Sequence, residues 1–273
     1  DPPGRVETVE RARESKVEQS HRNEASRAAD AKEEGMKCGP RDRVKEHTDH
    51  RRAPKLARPK IAALHGAQDA VVAHLDHGHT LEDCRAALDA GFTSVMIDGS
   101  KLPLQSNIDL TAMVAQLAHA AGASCEGEIG FVGYTAAAQS SGTDPYEAAR
   151  FARETGIDAM AVSVGNVHLQ QEQASDLDVE RLRAIKALTT VPLVIHGGSG
   201  VPIRQRAELA ANSHISKFNI GTELRMAFGQ ALRSTLAQDI DRFDRIAILK
   251  ETEWPVESAA RTVIRNLGAA GRY

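Results

Sequence analysis

The chain has 273 residues, 41% of them apolar, which is enough to bury one sizeable core. A formal net charge of -3, spread over residues of mixed sign, excludes the one-signed field that would draw the whole chain to nucleic acid or anionic lipid. No apolar stretch approaches the roughly 20 residues a bilayer crossing needs. Cys38, Cys84 and Cys125 are odd in number and widely spaced, with no signal-peptide pattern before them, so a disulfide framework is not expected and a reducing cytoplasm is. The expected partners are small soluble ligands, with neither nucleic acid nor membrane among them.

From Asp1 to Lys60 there is no Ile, Phe, Tyr or Trp, and Leu56 stands as the one leucine. Such a segment cannot build a core, and a helix over Val6 to Ala31 would have almost no apolar stripe to bury. It reads as an atypical charged segment, disordered or solvated, preceding a barrel domain over 61–273. The basic run Arg51 to Lys60 reads as a soluble linker.

Beyond Val71 the pattern becomes regular. Strand Val71 to His77 leads to an amphipathic helix from Leu81 to Ala90, and strand Ser94 to Asp98 to a helix from Asn107 to Ala121. Strand Ser124 to Ile129 is followed by a loop and helix Pro145 to Thr155, then by strand Ala159 to Val164, which runs into Asn166-Val167-His168. Helix Val179 to Leu188 precedes strand Pro192 to His196, a helix follows Pro202, and strand Ile215 to Ile220 ends at Gly221-Thr222-Glu223. Strands apolar on both sides and separated by helices predict a parallel α/β sheet. Six βα units are visible where a (β/α)8 barrel needs eight. The first two are anomalous or missing, because the region before residue 71 offers no convincing strand.

His77, His168 and His196 fall at the C-terminal ends of separate strands, where barrel enzymes build their sites. Three neutral imidazoles with an open fourth position are the donor set of a catalytic zinc. Each histidine taken alone also reads as a hydrogen-bonded residue at a strand end; their equivalent placement favours the metal reading. His74 alternates to the other side of its strand from His77 and reads as a packing or supporting residue, while His79, His119 and His214 read as uninvolved. Asp76 is placed for proton transfer or for orienting a ligand. Asp98 and Glu128 end the next two strands, ready to hold a second cation or to pair with Lys or Arg. Two glycine-containing loops follow adjacent strands: Gly197-Gly198-Ser199-Gly200, and Asn219-Ile220-Gly221-Thr222. Close backbone approach, N–H groups and the Ser199 and Thr222 hydroxyls suit them to phosphate.

These stretches resemble the class II, zinc-dependent fructose-bisphosphate and tagatose-bisphosphate aldolases. The matching segments are His74 to Gly78, Gly91 to Ser100, Glu126 to Gly130, Gly165 to His168, Ile195 to Gly200 and Phe218 to Leu224, and the likeness extends to the C-terminal helices. The resemblance implies a TIM barrel in which His77, His168 and His196 bind the catalytic zinc. Asp98 and Glu128 would serve a secondary metal position, for a divalent or monovalent cation. Asp76 would handle the proton of the aldehyde-derived hydroxyl, and Gly197, Gly198, Ser199, Asn219, Ile220, Gly221 and Thr222 would bind the dihydroxyacetone phosphate part of a phosphorylated sugar. A ketose 1,6-bisphosphate as substrate, a place in carbohydrate metabolism such as glycolysis, and a homodimer or homotetramer are further implications.

Two departures stand out. The loop Gly133 to Ala138 lacks the acidic residues of the family pattern, which leaves the donor base unassigned. The segment 1–60 has about the length of two βα units but the wrong composition, as a frame-shifted or foreign reading would. Two rival functions follow from these residues. An inactive barrel that binds metal or phosphate fits the departures, and a metal-dependent hydrolase fits His77-Gly78-His79 but leaves the phosphate loops idle.

Overall fold

The computed structural model describes residues 71–133, 142–173 and 176–271. Its elements run β1 (His74–Gly78), α1 (Leu81–Asp89), β2 (Ser94–Ile97), α2 (Leu104–Ala120), β3 (Ser124–Ile129), α3 (Pro145–Thr155), β4 (Ala159–Val162), α4 (Val179–Leu188) and β5 (Leu193–Ile195). A 3-10 turn at Gly198–Gly200 precedes α5 (Ile203–Asn212), β6 (Ile215–Phe218), α6 (Thr222–Gln238) and α7 (Arg245–Asn266). The segment 1–60 and its boundary, the helix over Val6 to Ala31 and the two missing βα units lie outside the described residues, as does most of the loop after Gly133.

The six strands form one sheet in sequence order, each paired in parallel with the next. In a flat sheet β1 and β6 would lie about 24 Å apart, five strand spacings. Instead Asn219 Nδ2 donates to Asp76 Oδ1 at 3.0 Å, and Lys217 Nζ lies 3.2 Å from His74 Nε2. The sheet therefore curls until side chains of its two edge strands touch. The expected (β/α)8 barrel is present in the described residues as a six-stranded half-barrel, curled in the sense a barrel requires.

Local chemistry sets the helix ends. Thr80 and Asp83 form a reciprocal capping box on α1, with Asp83 N–H donating to Thr80 Oγ1 at 3.0 Å and Thr80 N–H donating to the Asp83 carboxylate at 3.0 Å. Asp144 caps α3, whose first position is Pro145 and whose end is the left-handed Gly156, and Asp178 caps α4. The core lies between strands and helices. Val95, Ile97, Cys125 and Ile129 of the sheet meet Val114 and Ala118 of α2, Phe151 of α3, Ile185 of α4 and Leu209 of α5. Helices α6 and α7 pack chiefly against each other, and no helix among the described residues is long and apolar enough to cross a membrane.

Phe151 fills the space that Gly127 of β3 leaves: a Cβ built on that glycine would meet its ring at 2.9 Å. Phe151→Ala is expected to lower the unfolding free energy by about 3–5 kcal/mol and Gly127→Ala by about 1–3 kcal/mol. Tyr146→Ala, at a residue 76% exposed, should stay within about 0.5 kcal/mol. Urea denaturation measures all three; equal losses would contradict the placement of this core.

Candidate metal centre and anion loops

Strand alternation predicts that His74 and His77, three residues apart, face opposite sides. The structure corrects this. The β1–β2 register shifts between Leu75 and Gly78, and His77 adopts φ 54°, a left-handed conformation that costs a non-glycine residue about 1–2 kcal/mol. This irregularity turns the chain so that His74, Asp76 and His77 all line one cavity of about 470 Å³. His168, Gly197, Ser199, Asn219, Ile220, Gly221 and Thr222 line it too. His79, His119 and His214 stay outside, His119 against Asp158 and His214 against the Thr190 carbonyl.

Three imidazoles meet beside that cavity, His77 and His168 on its wall and His196 buried behind them, with ring centroids 4.8–5.7 Å apart. His168 lies six residues beyond the end of β4, on a loop, and not on a strand. Two contacts hold that loop. His168 N–H donates to the Gly133 carbonyl, and the buried Asn166 amide donates to the His196 carbonyl at 3.0 Å. Gly197 completes the join, because its φ is 64° and a Cβ there would meet the Val167 carbonyl at 2.2 Å. Burial, then the neighbouring His196 and His77, push the His168 pKa down to about 4. A neutral imidazole is the form that binds metal.

His196 is fully buried, with Nε2 3.0 Å from Glu126 Oε1. Burial opposes the Glu126 charge, but the His196 hydrogen bond and the Lys217 ammonium, 2.7 Å from Oε2, outweigh it and hold the pKa at about 2. An ionised carboxylate only accepts, so Nε2 is the donor of this bond, and in the neutral imidazole Nδ1 keeps its lone pair. That Nδ1 is buried without a hydrogen-bond partner, 3.7 Å from Glu128 Oε2, which is also without one. Burial and then the Asp98 charge push the Glu128 pKa up to about 8. His77 Nδ1 lies 2.9 Å from Asp98 Oδ2, and this hydrogen bond raises the His77 pKa against the effect of burial. Burial works against the Asp98 charge as well, yet bonds from His77 and Ser100 hold its pKa below the usual range.

Two partnerless buried atoms, one a lone pair and one a carboxylate oxygen, are what a cation between them would satisfy. Two residue sets could hold it, His77, His168 and His196, or His77, Asp98 and Glu128, each with candidate donor atoms within 4.8 Å of one another. The residues fit a divalent metal of the zinc class. The expected second position, Asp98 and Glu128, thus meets the expected zinc set at His77.

Across the cavity the two glycine loops are tied to each other. Gly198 N–H donates to the Asn219 carbonyl at 2.9 Å, and Glu223 N–H donates to Ser199 Oγ at 3.3 Å. Arg206, 1% exposed, donates through Nη1 to the Gly198 carbonyl at 3.2 Å and to Glu223. Thr222 opens α6, a helix that the sequence pattern did not announce. Its N-terminus therefore adds first-turn N–H groups and a favourable dipole to the anion loops.

Sequence reading assigned no part to Glu126, Lys217, Arg206 or Asn166. Glu126 was findable, since it lies two residues from Glu128 and so shares its face of β3. Lys217 carried a signal as well, the one charged residue in its strand. Arg206 and Asn166 carried none.

A curled parallel half-barrel carries three clustered imidazoles and two glycine-containing loops at the C-terminal ends of its strands, a candidate site for a metal and an anion. The family model of class-II fructose-bisphosphate aldolase matches residues 37–272, and the chain belongs to that family. It is 40% identical over 205 residues to the 6-phospho-5-dehydro-2-deoxy-D-gluconate aldolase of Shouchella clausii, covering 74% of this chain and 70% of the relative. It is 38% identical over 206 residues to the fructose-bisphosphate aldolase of Geobacillus stearothermophilus, covering 74% and 71%. Among solved structures, the YdjI aldolase of Escherichia coli K12 superposes with a TM-score of 0.63 at 30% identity, over 79% of this chain and 76% of that one. The fructose-bisphosphate aldolase of Campylobacter jejuni shares the fold, with a TM-score of 0.63 at 21% identity over 78% and 75%.

Glu126→Gln keeps the size of the side chain but removes the charge that orients His196. It is expected to weaken zinc affinity by about 10- to 100-fold, read by competition with a chromophoric chelator. Unchanged affinity would detach His196 from the metal.

Proposed function

We propose that this chain catalyses the reversible aldol cleavage of a ketose 1,6-bisphosphate of the fructose or tagatose type, giving dihydroxyacetone phosphate and an aldehyde. The observation that carries the reading is the cluster of His77, His168 and His196, the first two lining the cavity that the two glycine loops also line, with the buried, partnerless His196 Nδ1 and Glu128 Oε2 behind it. In this reading His77, His168 and His196 hold a catalytic zinc, and Asp98 and Glu128 provide a second cation position. When bound, the metal supplies electrophilic stabilisation for the negative oxygen that develops as a proton leaves the carbon beside the donor ketone.

The chain's own residues do the rest. Gly197, Gly198, Ser199, Asn219, Ile220, Gly221 and Thr222 hold the donor and its phosphate, which fixes the three-carbon unit in register. Asp76 takes the C4 hydroxyl proton as the C3–C4 bond breaks, and returns it to the aldehyde oxygen in condensation. Its carboxylate is 56% exposed, open to substrate, and is steadied by the Asn219 amide.

A second reading keeps the site and changes the substrate. The relative with 40% identity is named for a phosphorylated deoxy-keto-gluconate, and such a molecule would also offer a phosphate to the loops. Cleavage assays with fructose 1,6-bisphosphate, tagatose 1,6-bisphosphate and 6-phospho-5-dehydro-2-deoxy-D-gluconate separate the readings.

Zinc-loaded protein is expected to exchange a hydroxymethyl proton of dihydroxyacetone phosphate in heavy water, followed by NMR, and chelated protein is not. Asp76→Asn should retain that exchange while turnover in cleavage falls by about 10²- to 10⁴-fold. Loss of exchange in Asp76→Asn would move Asp76 to the donor side; no exchange by folded, zinc-loaded wild type would favour an inactive barrel.

A further inference from the structure

Helix α5 buries Arg206 and Leu209, three residues apart on one face, so the pattern of an amphipathic helix calls for an apolar residue at 206. The chain has an arginine there instead, 1% exposed. Its Nη1 donates to the Gly198 carbonyl at 3.2 Å and to Glu223 Oε1 at 2.5 Å. Its Nε and Nη2 are buried without a hydrogen-bond partner among the described residues. Unpaired donors on a buried charged group cost stability, and an apolar side chain of similar volume would avoid that cost. Stability does not account for this arginine.

Both of its partners adjoin the cavity. Gly198 opens the 3-10 turn that carries Ser199, and Glu223 lies in the first turn of α6. A peptide unit is planar, with its carbonyl and N–H opposed. Arg206 and the Val201 N–H, each 3.2 Å from the Gly198 oxygen, therefore hold that carbonyl on the buried side and direct the Ser199 N–H away from it, and Ser199 lines the cavity. Gly198 alone offers little steric resistance to rotation of this peptide. Turned over, the peptide would present an anion with a carbonyl oxygen in place of an N–H donor. Glu223 is the second liability. Its carboxylate, 28% exposed, is one residue from Thr222 of the cavity wall, where its charge opposes an anion. Pairing with a guanidinium offsets that charge.

We propose that Arg206 is a positioning residue, present at a cost to stability, that locks the orientation of the Gly198–Ser199 peptide and offsets the charge of Glu223. It does not line the cavity and acts through these two partners. The proposal rests on the aldolase reading given above, in which the adjoining loops hold the donor.

The test uses the full-length, zinc-loaded protein as wild type, Arg206→Met, Arg206→Lys and the double variant Arg206→Met with Glu223→Gln. Three readouts are needed: the thermal unfolding temperature, titration of inorganic phosphate by ³¹P NMR, and KM and kcat for proton exchange with dihydroxyacetone phosphate and with dihydroxyacetone. Arg206→Met is expected to weaken phosphate binding and to raise the KM for dihydroxyacetone phosphate by about 10-fold, the size of one lost hydrogen bond to a charged group. Its kcat should fall less, and the KM for dihydroxyacetone should change little. Arg206→Lys should recover part of the loss. The double variant removes the charge of Glu223 but leaves the peptide free, so its phosphate affinity should fall between those of wild type and Arg206→Met. It should unfold at or above the wild-type temperature, because neither an unpaired donor nor an unpaired charge is left behind. Unchanged phosphate affinity and KM in Arg206→Met would overturn the proposal, as would a wild type that binds no phosphate. An equal loss with both donors, or a double variant that unfolds well below wild type, would also overturn it, since both mark a merely structural residue. A wild type that binds phosphate but exchanges neither donor would contradict the aldolase reading instead, and the phosphate titration would then decide the part of Arg206 by itself.

Discussion

The candidate site depends on one buried carboxylate. Glu126 lies on β3 between His196, at the end of β5, and Lys217, on β6, with one oxygen on each. Taking that charge out of water is costly unless it is paired and hydrogen-bonded, and here both conditions are met. The His196 hydrogen bond and then Lys217 keep the carboxylate ionised, so in the neutral imidazole of His196 it is Nε2 that carries the proton. The other nitrogen is left with a lone pair among His77, His168 and Glu128. Lys217 also reaches His74 on β1. The same network that sets the chemistry of a candidate ligand thus spans from one edge strand of the sheet to the other.

Around this network the backbone departs from regularity where side chains must converge. His77 takes a left-handed conformation at a register shift, and Gly197 takes another where the chain passes within contact of the Val167 carbonyl. Asn166 then ties the loop carrying His168 to the end of β5. Strain of this kind persists only where the surroundings over-determine it. The packed sheet core, with Val95, Ile97, Met160, Val162 and Ile195 essentially inaccessible, provides that rigidity.

Much of the fold was legible in sequence. β3, α3 and α4 fall at the residues expected, because Asp144, Pro145, Gly156 and Asp178 are strong local signals that act within a turn of their own positions. Strands β1, β4, β5 and β6 are shorter than the apolar runs that announced them. Strand β1 loses residues at its start and β5 one at each end, while past β4 and β6 the apolar Val164 and Ile220 fall in loops. Helix α6 was not anticipated, since the glycine loop and the helix share residues Gly221 to Glu223. Period-two alternation misplaced His74, because the left-handed turn at His77 leaves no mark in composition.

In the site, residues that repeat a recognisable pattern were found, and residues that support them from a distance in sequence were not. Glu126 and His196 are 70 positions apart, so nothing local links them. Arg206 reaches the loop from the far side of a helix pattern. Its function as a tie between Gly198 and Glu223 exists only after folding.

The central claim is that three imidazoles share one metal. X-ray absorption at the zinc edge of the stoichiometrically loaded protein tests it most directly. Three imidazoles on one zinc give an imidazole scattering pattern from three nitrogen donors at about 2.0–2.1 Å, with oxygen filling the remaining coordination. A sulfur shell at about 2.3 Å, or a spectrum with one imidazole or none, would contradict it.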